Sequence, residues 1–250
     1  ARDLIRTNVG AQSGLLFNSD YESSYFTPKG WGKSTNYSTQ KIELQPINTT
    51  LDAFGATVEF RPPKTFDYLG FMSIQIPYSA VTPGTGASYT RFVDYLGIHS
   101  INHVTVSHVS NTIAKLDGGT TYLPVHHLNS DRRRKRYWDP LLLGGLSTTT
   151  RQILATGAQV SHVPLDGFLW FTYGTPSFTP VIILSHELRF EVTFNPLSYV
   201  LQSDHTGGTP VSTISTQTLQ GVSYPLALVF TACHVTGDER TWQTSLFERD

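Results

Sequence analysis

Residues 188–194 read Leu-Arg-Phe-Glu-Val-Thr-Phe, and nothing else in the chain restricts the possible fold as much. Leu188, Phe190, Val192 and Phe194 alternate strictly with Arg189, Glu191 and Thr193. A period of two places four large apolar groups on one face of a strand and the polar groups on the other, so the segment belongs half-buried in a sheet. Further short runs rich in Val, Ile, Thr, Phe and Tyr occur at 57–60, 71–76, 98–109, 181–184 and 226–235. Clusters of Gly, Pro, Ser, Asn and Asp punctuate them. The last run is longer and more apolar, as expected of a strand buried on both faces. Helical periodicity is almost absent, and the chain reads as all-β.

Composition bears on which all-β architecture is possible. Among 250 residues 39% are apolar and only 15% charged, which is enough to build a sizeable core and unlike a disordered chain. A sandwich of this length is often a single domain. The net charge of −1 gives no global field to recruit nucleic acid or an anionic membrane. No run approaches the ~18 to 20 apolar residues of a membrane span, and no signal segment opens the chain. Cys233 is the sole cysteine, which excludes an internal disulfide and suits a small buried hydrophobe in a reducing compartment such as the cytosol. Asn36-Tyr-Ser and Asn48-Thr-Thr match the glycosylation pattern, but such triplets arise by chance in a chain this rich in Ser and Thr. The opening at Ala1 without methionine and the end at Asp250 after a charged segment fit a chain cut from something longer.

Three connections are long, at 82–88, 117–150 and 203–220. Residues 203–220 are rich in Thr, Ser and Gly, with Val211, Ile214 and Leu219 as scattered apolar groups, so a mobile surface excursion is expected there. Residues 1–50 are polar with scattered aromatics (Phe17, Tyr21, Tyr25, Phe26, Trp31) and read as an arm that drapes over a domain or reaches a neighbour. No internal repeat is visible.

Catalytic and metal motifs fail one by one. His99, His103 and His108 fall in one expected strand, where parity puts His108 on the face opposite the other two, and no Asp or Glu completes a site. The adjacent His126 and His127 diverge. His186-Glu187 begins a zinc-protease motif, but Phe190 stands where its second histidine belongs. No Gly-x-Ser-x-Gly elbow occurs, and Cys233 lies in an apolar context that raises a thiol pKa. Gly84-Thr-Gly86 lacks the third glycine of a dinucleotide loop. No metal, cofactor or catalytic residue is therefore expected. The one dense charge feature is Arg132-Arg133-Arg134-Lys135-Arg136, followed by Tyr137 and Trp138. Five cations beside aromatics suit phosphate and base stacking, or else a solvated loop that pairs with carboxylates on its own or a neighbouring subunit. The second reading is preferred, because no other nucleic-acid-binding motif accompanies the run.

Three stretches carry a family resemblance. The first is Phe66-Asp-Tyr-Leu-Gly-Phe-Met-Ser-Ile-Gln-Ile-Pro77, with Tyr95-Leu-Gly-Ile-His-Ser-Ile-Asn-His-Val-Thr-Val106 and Ile113-Ala-Lys-Leu-Asp117. The second joins Val163-Pro-Leu-Asp-Gly-Phe-Leu-Trp-Phe-Thr172 to Pro180-Val-Ile-Ile-Leu-Ser-His-Glu-Leu-Arg-Phe-Glu-Val-Thr-Phe194, and the third is Val235-Thr-Gly-Asp-Glu-Arg240. In order and spacing they resemble the first jelly roll of the major capsid proteins of nucleocytoplasmic large DNA viruses. The resemblance spans roughly residues 57–250. Residues 1–50 do not match the family's opening, and its second jelly roll is missing.

The resemblance implies an eight-stranded antiparallel jelly-roll sandwich with long inter-strand loops. It divides the chain into an N-terminal arm (1–50), a jelly-roll domain (51–235) and a linker towards a second roll (236–250). It implies a structural shell protein in the virion, assembled in the host cytoplasm as a homotrimeric capsomer, without membrane insertion, enzymatic activity or direct contact with the genome. Arg132, Arg133, Arg134, Lys135, Arg136, Tyr137 and Trp138 are then expected to form a subunit-contact loop. The alternatives are a single-jelly-roll penton-type vertex protein and a cupin- or lectin-like jelly-roll enzyme or sugar-binding module. The enzyme reading would rest on His99 and His103.

Overall fold

The structure, a computed structural model, describes residues 37–48, 52–109, 111–118, 139–165, 179–180, 187–237 and 241. The chain separates into a main unit, Thr39–Cys233, and a second unit comprising Ala1–Ser38 and His234–Asp250. In the second, the Thr241 hydroxyl donates to the Gly237 carbonyl at 2.9 Å.

Eight principal strands make two sheets: β1 (Tyr37–Leu44), β2 (Thr57–Phe60), β3 (Tyr68–Tyr78), β5 (Ile101–His108), β6 (Asn111–Asp117), β7 (Gln159–Pro164), β9 (Leu188–Phe194) and β13 (Ala227–Val235). The larger sheet has the order β1-β13-β3-β7, and the two-residue β8 (Thr179–Pro180) also pairs with β3. The smaller has the order β2-β9-β5-β6. Along the chain the strands pass back and forth between the two sheets, which is the jelly-roll winding of two Greek keys. The remaining strands are short and lie in connections: β4 (Thr90–Phe92), β10 (Leu201–Ser203), β11 (Gln217–Leu219) and β12 (Val222–Tyr224). Three short helices that lie wholly within the described residues do the same: α1 (Leu96–Ser100), α2 (Thr148–Ala155) and α3 (Leu197–Val200). No described helix is long and apolar enough to cross a membrane.

The alternation at 188–194 is realised as β9, with Leu188, Phe190, Val192 and Phe194 buried and the residues between them half-buried. Register carries the pattern to the neighbours, since Phe190 stands opposite Phe60 on β2 and Val106 on β5, and Val192 opposite Val58 and Val104. All join one core with Leu69, Met72, Ile74, Ile76, Leu228 and Phe230 from the larger sheet. Leu69 and Met72 are three apart yet share the core face, because a bulge at Gly70-Phe71 stands opposite Thr231 and resets the alternation. Phe71 is consequently turned outward, 46% exposed. The run at 226–235 is buried on both faces for most of its length, as read from its composition.

Three expectations are corrected. The run at 98–109 is not one strand, because residues 96–100 form α1 after Tyr95 takes a left-handed conformation (φ 54°), and the strand starts at Ile101. His99 therefore lies on a helix and shares no strand face with His103. Gly97 allows this helix to sit against β7, where a Cβ would meet the Ser161 hydroxyl at 2.9 Å. Within the stretch read as an arm, residues 37–44 form β1, whose Ile42 and Leu44 reach the core between Lys41 and Glu43. Residues 203–220 are pinned rather than mobile, for reasons that concern the site below. The expected strand at 181–184, His126, His127, His186 and the basic run 132–136 with Tyr137 and Trp138 lie outside the described residues.

Candidate interaction surface at the loop-bearing end

Three long connections, β3–β5 (79–100), β6–β7 (118–158) and β9–β13 (195–226), have described parts that gather at one end of the sandwich. The β2–β3 connection, the two-residue β5–β6 turn and the β7–β9 connection (165–187) belong to the other end. At the loop-bearing end β4 pairs with β10, so that Thr90, Arg91 and Phe92 face Ser203, Gln202 and Leu201. Single bridges extend the pairing from Thr85↔Gly207 through Thr82↔Val211 to Tyr78↔Ile214. The β3–β5 and β9–β13 excursions thus zip together along both limbs into one projecting loop pair. α2 packs on β4, and its Arg151 donates from Nη1 to the Phe92 carbonyl at 3.2 Å.

Backbone pairing and polar caps order this surface, with little help from apolar burial. Asp204 Oδ1 accepts the amide N–H groups of Ser88 (2.9 Å) and Tyr89 (3.0 Å), while Oδ2 accepts the Ser88 hydroxyl. These bonds, from the Ser88 hydroxyl first, hold the carboxyl below its ordinary pKa. Ser79 and Ser212 exchange hydroxyl and carbonyl contacts, and Ile214 and Ser212 are buried. Gly84 meets Gly208 so closely that a Cβ would lie 2.5 Å from the Gly208 carbonyl oxygen. Only glycine permits that approach. Composition misjudged residues 203–220 because their partners lie more than a hundred residues upstream.

Outward on this ribbon stand Tyr89 and Arg91. The Arg91 guanidinium carbon lies 4.8 Å from the centre of the Tyr89 ring, and its Nε donates to Gln202 Oε1 at 3.0 Å. Among the described residues, nine large hydrophobic residues are exposed, and Tyr89, Ile153, Tyr199, Val211 and Val222 belong to these three connections.

Elsewhere the polar groups serve the fold. The buried Tyr78 hydroxyl donates to Ser100 Oγ (3.0 Å) and meets Ser161 Oγ (3.2 Å), while Ser100 donates to the Leu96 carbonyl (2.7 Å). Burial pushes the Tyr78 hydroxyl far above its ordinary pKa. Burial lowers the pKa of His99 against a raising influence from Asp94, and lowers that of His162 with help from Lys41. Burial, then Asp67, pushes the Cys233 thiol up. His103 spends its ring nitrogens on Asn102 (2.8 Å) and Thr193 (3.3 Å). Among the described residues no group of three His, Cys, Asp or Glu side chains converges as a metal site would require. A cleft of about 630 Å³ opens on the outward face of the larger sheet, lined by Lys41, Phe71, Leu141, His162 and Thr231 among others.

No family model and no curated protein matches the chain. Solved structures do. VP54 of PBCV-1, a crystal structure fitted into a reconstruction of the virophage Sputnik, superposes with a TM-score of 0.59 at 17% identity, over 88% of this chain and 48% of that one. A chain of the PBCV-1 virus capsid gives 0.58 at 18% over the same shares. The Faustovirus major capsid protein gives 0.57 at 12%, over 91% of this chain and 57% of that one. At such identities the likeness is one of fold. The chain has the jelly-roll fold of these viral proteins, and it spans about half of their length.

Proposed function

We propose that the chain is the first jelly roll of a viral major capsid protein, a structural tile of an icosahedral shell. The observation that carries this reading is the strand order β1-β13-β3-β7 over β2-β9-β5-β6, superposing along most of the chain on about half of each capsid chain. A rigid sandwich with a loop-bearing end suits coverage of area by many repeated contacts, because the core fixes shape while loops adapt to each neighbour. On this reading an arm precedes β1, the roll runs from β1 to residue 235, and residues 236–250 lead towards a second roll. Three copies form a capsomer in the host cytoplasm, and Arg132 to Arg136 with Tyr137 and Trp138 contribute subunit contacts. The protein has no catalytic task, and its place is the virion.

Mass measurement by light scattering tests the proposal on the polypeptide extended to its natural end. Trimers that associate further into sheets or shells are the expected result. A strictly monomeric product of this length with no second roll would overturn the capsomer reading.

A further inference from the structure

We propose that the outward face of the β4–β10 ribbon binds a single carboxylate carried on a sugar, of sialic or uronic acid type, with Arg91 as the receiving group. Phe92 points into the core, so its neighbour Arg91 and the facing Gln202 point outward. Both halves of the Arg91 side chain are already placed: its plane lies over the Tyr89 ring and its Nε is bonded to Gln202. Its two terminal nitrogens keep the planar fork that receives a carboxylate through parallel bonds. Among the described arginines it is the exception. Arg61 and Arg189 are paired with glutamates, and Arg151 donates to a backbone carbonyl. The nearby Asp204 is no competitor, because Ser88 and Tyr89 occupy its oxygens. Holding the fork in place beforehand reduces the ordering that a ligand must supply.

The surroundings select the rest of the ligand. Arg91 and Asp204 sum to no net charge, so the ribbon lacks the accumulated positive field that a polyanion requires. One anionic group with a neutral, hydroxyl-bearing body fits better. The exposed Tyr89 ring and the nitrogen of the Gln202 amide, whose oxygen alone is taken by Arg91, offer it an apolar edge and a hydrogen-bond donor. This inference stands on the ribbon alone, so a failure to assemble into shells would leave it untouched.

Saturation-transfer NMR on the 250-residue chain, with sialyllactose, glucuronate and lactose at millimolar concentration, tests it. Transfer to the two acidic sugars and none to lactose is expected. Arg91→Lys keeps the charge but removes the fork, and should weaken binding by about tenfold with an unchanged thermal melt. Should Arg91→Lys melt early, Gln202→Ala provides the same comparison by releasing Nε. No transfer to either acidic sugar, equal transfer to lactose, or undiminished binding in folded variants would overturn the proposal. So would salt-steep binding of a heparin fragment or single-stranded DNA without binding of sialyllactose.

Discussion

Replacing Phe190 by Ala probes the register on which the whole sandwich depends. The side chain is fully buried on β9 between Phe60 and Val106. Returning such a ring to water loses about 2 to 3 kcal/mol of transfer free energy. The neighbours are strand residues fixed by ladders on both sides, so they relax poorly into the gap, and the total should reach about 3 to 5 kcal/mol. Against a domain stability of about 5 to 15 kcal/mol this is a large fraction. For a chain of this size it corresponds to a fall of about 6 to 20 °C in Tm. Glu191→Ala, one residue along on the wet face, should change stability by no more than about 1 kcal/mol. Thermal and urea melts of the two variants and the parent make the comparison. Equal shifts for both, or an unmoved melt for Phe190→Ala, would refute the burial pattern assigned to β9.

Glu59 and Glu191 stand directly opposite each other, and Arg189 bridges them at 2.8 and 2.6 Å. Arg189→Met should therefore cost about 1 kcal/mol, discounted for partial exposure, as thermal melts of variant and parent would report. Asp204→Asn should loosen the loop pair, so that limited proteolysis cuts within 203–215 faster than in the parent while the sandwich stays intact. The sign with pH follows from the lowered carboxyl: its contribution is present above the unfolded value near ~3.9 and disappears as pH falls through the lower folded one, so protection of the parent loops should fade in that acid window. Changing Arg132, Arg133 and Arg134 together to Ser should weaken assembly, read by light scattering, without lowering Tm; salt-sensitive nucleic-acid binding abolished by the same change, with assembly unaffected, would contradict the contact role.

Legibility in the sequence followed the range of the interactions. Residues 188–194 and 57–60 were readable because each residue's environment is set by its own strand's alternation, and that is a local property. The segment 37–44 carries the same signal in Lys-Ile-Glu-Leu, but its polar surroundings hid it. Residues 98–100 continue an apolar pattern that a strand and a short helix share, and only the left-handed Tyr95 separates the two. α2 is short and mostly exposed, so its one local marker is Ser147, whose hydroxyl accepts the Thr150 amide. Tyr89, Arg91, Gln202 and Asp204 were invisible as a group, since nothing in either segment indicates that 88–92 and 201–204 meet.

The outward faces of the two sheets differ in a way that bears on how such a domain is used. On the smaller sheet the outward groups are Thr57, Glu59, Arg189, Glu191 and Thr193, and they bond to one another: the two threonines at 2.8 Å, the charged residues through Arg189. A face whose two carboxylates are already paired with Arg189 and Arg61 has little to gain from a partner and loses hydration when covered. On the larger sheet the outward residues Ser73, Gln75, Val229 and Cys233 are buried although they point away from the core, and Phe71 stands exposed beside a cleft. Much of that face is therefore already covered by other segments of the same chain. The smaller sheet's edge strand β6 points the same way, because Ile113 forms a bulge opposite β5 between Ala114 and Thr112, and Lys115 is exposed. Bulges and lysines discourage pairing with a foreign strand. The smaller sheet thus satisfies its outward polar groups from its own strands, whereas the larger sheet has its outward groups covered by other parts of the chain.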